Sequence, residues 1–171
     1  MSELMRHIVI VVVPLLASNI LHMAVVKLNG LKLLAVPIWR AGFGQNKTWR
    51  GFVITPLLNA TFLYALDQWC GINLEHAFLI GFLLGLAYMV LELPNSYFKR
   101  SQGISAGERP AKHRLFFTLL DKTDSVIGVL LTYYFLSDID LNSTLLLFVL
   151  GTATHFLVSY LLVILKIKKS L

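Results

Sequence analysis

The chain is 171 residues long, 57% hydrophobic and 14% charged, with a mean hydropathy of +0.73 and a formal net charge of +6. Charged residues make up about a quarter of an ordinary soluble domain, so this composition excludes one and points to an integral membrane protein built as a single domain, 1–171. The basic residues lie in short connections between apolar runs, a pattern of membrane topology and not of nucleic-acid binding; the lone Cys70 excludes an internal disulfide or a cysteine-based zinc site.

A membrane-spanning helix needs about 20 mostly apolar residues. The sequence predicts an all-α membrane protein with five of them, at about 5–26, 51–68, 76–94, 115–136 and 144–165. Arg6 and His7 precede the first run, as in a secretory signal. No small-residue cleavage pattern follows and four further apolar segments do, so Met1–Lys27 is read as a spanning helix. Leu31–Trp39 is apolar but too short to cross, and is expected along the interface or as a re-entrant segment. Pro94 is expected to end or kink the third helix.

An odd number of spans puts the termini on opposite sides, and lysine and arginine placement sets the orientation. Lys27, Lys32, Arg40, Lys47 and Arg50 precede the second helix. Lys99, Arg100, Arg109, Lys112 and Arg114 precede the fourth, Lys122 lies just inside it, and Lys166, Lys168 and Lys169 follow the fifth. Fourteen of the 15 basic residues thus fall on one side, with Arg6 opposite. The expected N-terminus is outside and the C-terminus cytoplasmic. The cytoplasmic connections, about 27–50 and 95–114, are long, charged and glycine-containing, as functional loops tend to be.

Chemistry concentrates at that face. Asp121 and Asp124, three apart, share one face of the fourth helix, with Gly128 one turn further on. Carboxylates in an apolar span pair, bind cations or face water. Mg²⁺ is typically held by one or two carboxylates plus substrate phosphates; the plainer reading is a pair of acids favoured by the helix dipole. Glu92 ends the third helix and is either a snorkelling acid, a third metal ligand or the partner of a loop arginine. Lys99 and Arg100 serve topology and contact with anionic lipid heads, or grip phosphate beside Gly103, Gly107 and Pro110, whose loop lets backbone amides come close.

The Arg40–Gly51 connection reads RAGFGQNKTWRG. It is not a P-loop, because Asn46 stands where the glycine before Lys47-Thr48 should be and no strand precedes it. Gly42, Gly44, Lys47, Thr48 and Arg50 still form a second phosphate-friendly loop on the same face, with Trp49 as an interfacial anchor or a stacking surface for a base. His22, His76 and His155 have no second ligand at metal spacing and are read as packing or interfacial groups. Asn19, Asn59 and Thr154 are candidate interhelical hydrogen-bonding groups, and Asn59 a candidate for a lipid-headgroup cleft.

Three blocks together resemble the archaeal CDP-archaeol synthases and their bacterial relatives, five-helix membrane proteins related to the phosphatidate cytidylyltransferases. They are Asn46-Lys47-Thr48-Trp49-Arg50-Gly51, Asn95-Ser96-Tyr97-Phe98-Lys99-Arg100 with Gly103 and Gly107, and Asp121-Lys122-Thr123-Asp124 with Gly128. The resemblance implies transfer of CMP from CTP to a lipid phosphate at the cytoplasmic face of a prokaryotic plasma membrane, with Mg²⁺ assistance. It implies Asp121 and Asp124 as metal ligands and Lys47, Arg50, Lys99 and Arg100 as phosphate-binding groups, with Thr48, Ser96, Gly103 and Gly107 in the same blocks. Glu92 stands where relatives often carry an aspartate, and Glu108–Leu120 is longer than the family's usual link. The rival readings are a non-catalytic protein that binds anionic lipid through basic loops, and a small transporter. Clustering of charge at one face, not mid-membrane, argues against the transporter.

Overall fold

The computed structural model describes residues 2–108 and 114–165; of Arg114 it describes the backbone. Arg109, Pro110, Lys112, the Arg114 side chain and Lys166, Lys168 and Lys169, all named above, lie outside the described residues. The architecture is helical: α1 (Glu3–Lys27), α2 (Arg40–Phe43), α3 (Trp49–Cys70), α4 (Ala77–Ser101), α5 (Arg114–Leu136) and α6 (Leu141–Ile164), with a 3-10 turn at Lys32–Leu34. The five long helices coincide with the five predicted apolar stretches. Three of them, α1, α4 and α6, are long and apolar enough to cross a membrane. No 18-residue stretch of α5 avoids Asp121, Lys122 and Asp124, which keeps it out of that group.

The long helices form a closed ring in chain order. α1 packs on α3, α3 on α4, α4 on α5, α5 on α6, and α6 returns to α1. Ile10, Val11, Leu63, Leu84, Val129, Leu130 and Leu147 fill the centre. The His7 Nδ1 and Tyr133 hydroxyl, 2.8 Å apart, tie α1 to α5. Asp140 caps α6 by accepting from the Ser143 amide at 2.9 Å, and hydrogen bonding from Ser143 holds its carboxyl below the ordinary range. Outward faces are apolar: Leu57, Leu79, Ile127, Phe135, Val149 and Leu157 are exposed.

The closest helix pair is α3–α4, and small residues make it so. A Cβ on Gly81 would lie 2.7 Å from the Ala60 Cα, and one on Gly85 would lie 2.7 Å from the Pro56 Cα. These are backbone atoms that cannot rotate away. Asn59, fully buried, donates to the Gly81 carbonyl at 2.6 Å, so it is an interhelical bond and not a cleft residue. On the other side of α4, a Cβ on Gly128 of α5 would lie 2.4 Å from the Leu91 Cγ.

One expectation is corrected. Pro94 does not end the third helix: α4 runs on to Ser101, so Ser96, Lys99 and Arg100 are helical and not loop residues. The missing proline N–H removes one helical bond, but the turns beyond it are held by side chains, with Asn95 and Lys99 bound to α5. Gly103 serves the helix end. At φ +73° it accepts the left-handed position after α4, where the amides of Gly103 and Ile104 donate back to the carbonyls of Arg100 and Lys99 at 3.0 Å.

The Leu31–Trp39 segment is not a continuous helix. Its amides and carbonyls bind the chain just before α3, with the Ile38 N–H on the Lys47 carbonyl at 2.9 Å and the Trp49 N–H on the Val36 carbonyl at 3.0 Å. This short antiparallel clasp, centred on Pro37 and Thr48, fixes Lys47 and Thr48 at the entrance of α3. Trp39 stacks on Tyr97 of α4, ring centroids 5.9 Å apart, and so docks the clasp on the bundle.

Gly85→Leu should lower stability by about 1–3 kcal/mol through overpacking against Pro56. Thermal unfolding in detergent checks it: the midpoint should fall clearly below wild type, while Leu79→Ala, on an exposed face, should leave it nearly unchanged.

Candidate active site

At the end of the bundle where α3 begins and α4 ends lies a cleft of about 990 Å³. That volume is within the range of small-molecule sites. The cleft is walled by the connection before α3, the last turns of α4, the first turns of α5 and the second half of α6. Lys47, Thr48, Arg50, Glu92, Ser96, Lys99, Arg100, Gly107, Asp121 and Asp124 all line it. Gly103 does not, and Trp49, half exposed, lies outside it, on the side of an anchor rather than a stacking surface.

The charges arrive already arranged. Lys47 meets Glu92 in an ion pair joining the clasp to α4, both side chains about four-fifths buried. Glu92 therefore partners a loop lysine, not an arginine. Among the described residues no three His, Cys, Asp or Glu side chains group as a metal site. Lys99 meets Asp121 in a second ion pair. Asn95, one turn earlier on α4, donates its Nδ2 to Asp121 at 2.6 Å and to Asp124 at 2.7 Å. Asp124 also accepts from the Ser125 amide at 2.6 Å.

The two arginines differ. Arg50 donates Nη1 to the Gly30 carbonyl at 3.0 Å and so anchors the connection after α1. Arg100 keeps Nε and Nη1, and Arg50 its Nε, buried with no acceptor among the described residues. Buried donors without partners are rare and call for an acceptor, which water or a ligand can supply. Ser96 spends its hydroxyl on the Glu92 carbonyl at 2.9 Å. Gly107 (φ +85°) turns the segment after α4 toward the clasp, where a Cβ on it would lie 3.7 Å from the Asn46 Nδ2. The two functional connections are therefore neighbours.

Sequence reasoning passed over several groups. Asn95 opens a quoted block but carried no role there. Lys122, read as a topology charge, is 2% exposed and donates to Ser159 of α6 at 2.6 Å, with its ammonium 6.0 Å from the Phe156 ring. Asn19, Tyr88 and His155 form a polar chain across α1, α4 and α6, with Asn19 Nδ2 on the Tyr88 hydroxyl at 2.7 Å and that hydroxyl 3.3 Å from the His155 Nε2. A signal for Lys122 existed, since a charged residue between two acids of one helix must face elsewhere. Of the polar chain, Asn19 was legible as an interhelical hydrogen-bonding group, whereas its partner Tyr88 was not.

The donor set suits a hard divalent cation. Two carboxylates are drawn to one amide, whose Oδ1 is buried without a partner among the described residues. Oxygen donors of this kind are what Mg²⁺ takes.

The Lys47–Glu92 pair gives a test. Removing one partner strands a largely buried charge. Lys47→Met and Glu92→Gln should each lower the unfolding midpoint, and the double variant should recover part of the loss, with a coupling of about 1–3 kcal/mol. Additive losses would show that the pair does not hold the clasp to α4.

All three sequence blocks fall inside one comparison. The family model described as CarS-like, CDP-archaeol synthase, matches residues 35–171, which takes in the clasp, α3 and everything after it. No curated protein and no solved structure matches the chain. With most of its length matched, the chain belongs to the CarS-like family of CDP-archaeol synthases.

Proposed function

We propose that the chain is a membrane cytidylyltransferase that moves CMP from CTP onto a lipid phosphomonoester, giving a CDP-lipid and pyrophosphate. Family membership supports the reaction class. The observation that carries the site is the meeting of the aspartate pair with the unpartnered donors of Arg100 in one cleft. The chemistry needs both halves, carboxylates for a metal and cations for phosphates.

In this reading Asp121 and Asp124 hold Mg²⁺, which when bound supplies charge neutralisation and orientation to the phosphates. Phosphoryl-type transfer asks the protein mainly for positioning and electrostatic stabilisation. A lipid phosphate oxygen attacks the α-phosphorus of CTP, and the bond to the bridging α–β oxygen breaks. Pyrophosphate leaves with the electron pair. Arg100 offers Nε–H and Nη1–H to phosphate oxygens, and Lys99, beside the carboxylates, adds an ammonium. Lys47, Thr48 and Arg50 present the opposite wall, where the clasp and α3 hold them. Gly107 and Ser96 shape the space between. Glu92 acts through Lys47 and is not a metal ligand.

All five long helices cross the membrane in this proposal, N-terminus outside and cleft facing the cytoplasm, as one domain. Support comes from the outer faces of α3 and α5, where Val53, Leu57, Tyr64, Ile127, Leu131 and Phe135 are exposed just as apolar residues of α1, α4 and α6 are. The lysine and arginine bias supports the orientation. Lipid tails stay in the bilayer while the headgroup reaches the cleft.

Purified protein with labelled CTP, Mg²⁺ and a panel of ether- and ester-linked lipid phosphates should yield a labelled CDP-lipid. Asp121→Asn should cut turnover by about a hundredfold or more while the protein stays folded. Folded wild-type protein that makes no CDP-lipid from any acceptor would sink the reading. Retained or increased lipid affinity in Asp121→Asn, with no turnover in either protein, would mark a lipid-binding module instead.

A further inference from the structure

We infer that Asn95 is a ligand of the divalent cation, a third oxygen donor beside Asp121 and Asp124. The inference rests on the proposed cation site at the aspartate pair. Asn95 is 7% exposed and sits on α4, across the helix seam from both acids. Its Nδ2 lies 2.6 Å from an Asp121 oxygen and 2.7 Å from an Asp124 oxygen. One polar group is thus equidistant from both carboxylates, at the point that a bridging positive charge would take. The other end of the same amide, Oδ1, is buried and has no partner among the described residues.

A side-chain amide carries a donor and an acceptor that trade places by a half-turn about the Cβ–Cγ bond. With the NH₂ group inward, the amide satisfies the two acids and screens them from each other. With the oxygen inward, it adds a neutral oxygen to two anionic ones, a mix that hard cations accept. An aliphatic residue here would leave two carboxylates close together with one fewer partner. An aspartate would supply an oxygen in either orientation but no donor. Lys99, on the same face of α4, meets both oxygens of Asp121 and shares Oδ1 with Asn95, so α4 contributes both a cation and an amide to the acids of α5.

Mn²⁺ binding to the purified full chain, followed by electron paramagnetic resonance of the free ion, tests this without turnover. Asn95→Ala should weaken Mn²⁺ binding about 10- to 100-fold. Asn95→Asp should bind Mn²⁺ as tightly as wild type or more so, because the oxygen is kept. A residue that served only as a donor to the acids would lose as much in Asn95→Asp as in Asn95→Ala, and that result overturns the inference, as does Asn95→Ala within twofold of wild type. If Asn95→Ala does not fold, pulsed resonance on wild-type protein with ¹³C-labelled asparagine decides: a carbon coupling to bound Mn²⁺ supports ligation and its absence overturns it. Asp121→Asn separates the two levels. Loss of binding there with none in Asn95→Ala rejects the asparagine alone, whereas a wild-type protein that binds no Mn²⁺ rejects the aspartate site and the asparagine together.

Discussion

Carboxylates on an otherwise apolar helix are expensive unless other groups of the fold meet them. The seam between α4 and α5 is where this chain meets that demand. Asn95 and Lys99, a turn apart on α4, reach the two acids a turn apart on α5. The spacing is helical on both sides, so the two faces are complementary over a full turn. Because each partner is partly or wholly out of water, the contact fixes the rotation of one helix against the other.

Two further polar contacts extend the same principle around the end of the bundle. Lys47 to Glu92 ties the clasp to α4, and Lys122 to Ser159 ties α5 to α6. Each joins a different pair of elements. The groups with the greatest chemical use are therefore also the ones that set the geometry of the wall they stand in. The apolar side of the bundle does the complementary job. Gly81 and Gly85 let α3 come within backbone contact of α4, which brings the start of α3, with Arg50 and the clasp, level with the last turns of α4.

How much of this was legible follows from range. The five long helices could be read because about 20 consecutive apolar residues have few other uses. The convergence of three blocks could be anticipated because they carried complementary charges in connections and helix ends on the same face. Local rules failed where distant partners decided. Pro94 argues for a helix end when only its neighbours are considered; the turns after it persist because residues of α5, 26 and 29 positions beyond Asn95, bind them. Asn95 itself had no readable role, since an amide becomes informative only when its two acceptors are known. Gly103 also has a local reading. A glycine near phosphate-type cations invites a phosphate reading, but its left-handed backbone is explained by the end of α4.

The balance of charge in the cleft bears on why a cation belongs with the proposed reaction. Lys47, Arg50, Lys99, Arg100 and Lys122 line it, against Glu92, Glu108, Asp121 and Asp124. Two of the cations already meet acids, and Arg50 meets a carbonyl. What is left for a polyphosphate is the guanidinium of Arg100 with the Nε of Arg50 on one side, and the rest of the aspartate pair on the other. A triphosphate drawn in by the first would be repelled by the second, because Lys99 offsets only one of the two carboxylates. A divalent ion held by the pair would reverse the sign of that wall and supply attraction for the phosphates. In the proposed reaction the aspartates would therefore not be passive helix-start acids. They would oppose the very ligand that the neighbouring cations invite, unless metal and nucleotide arrive together.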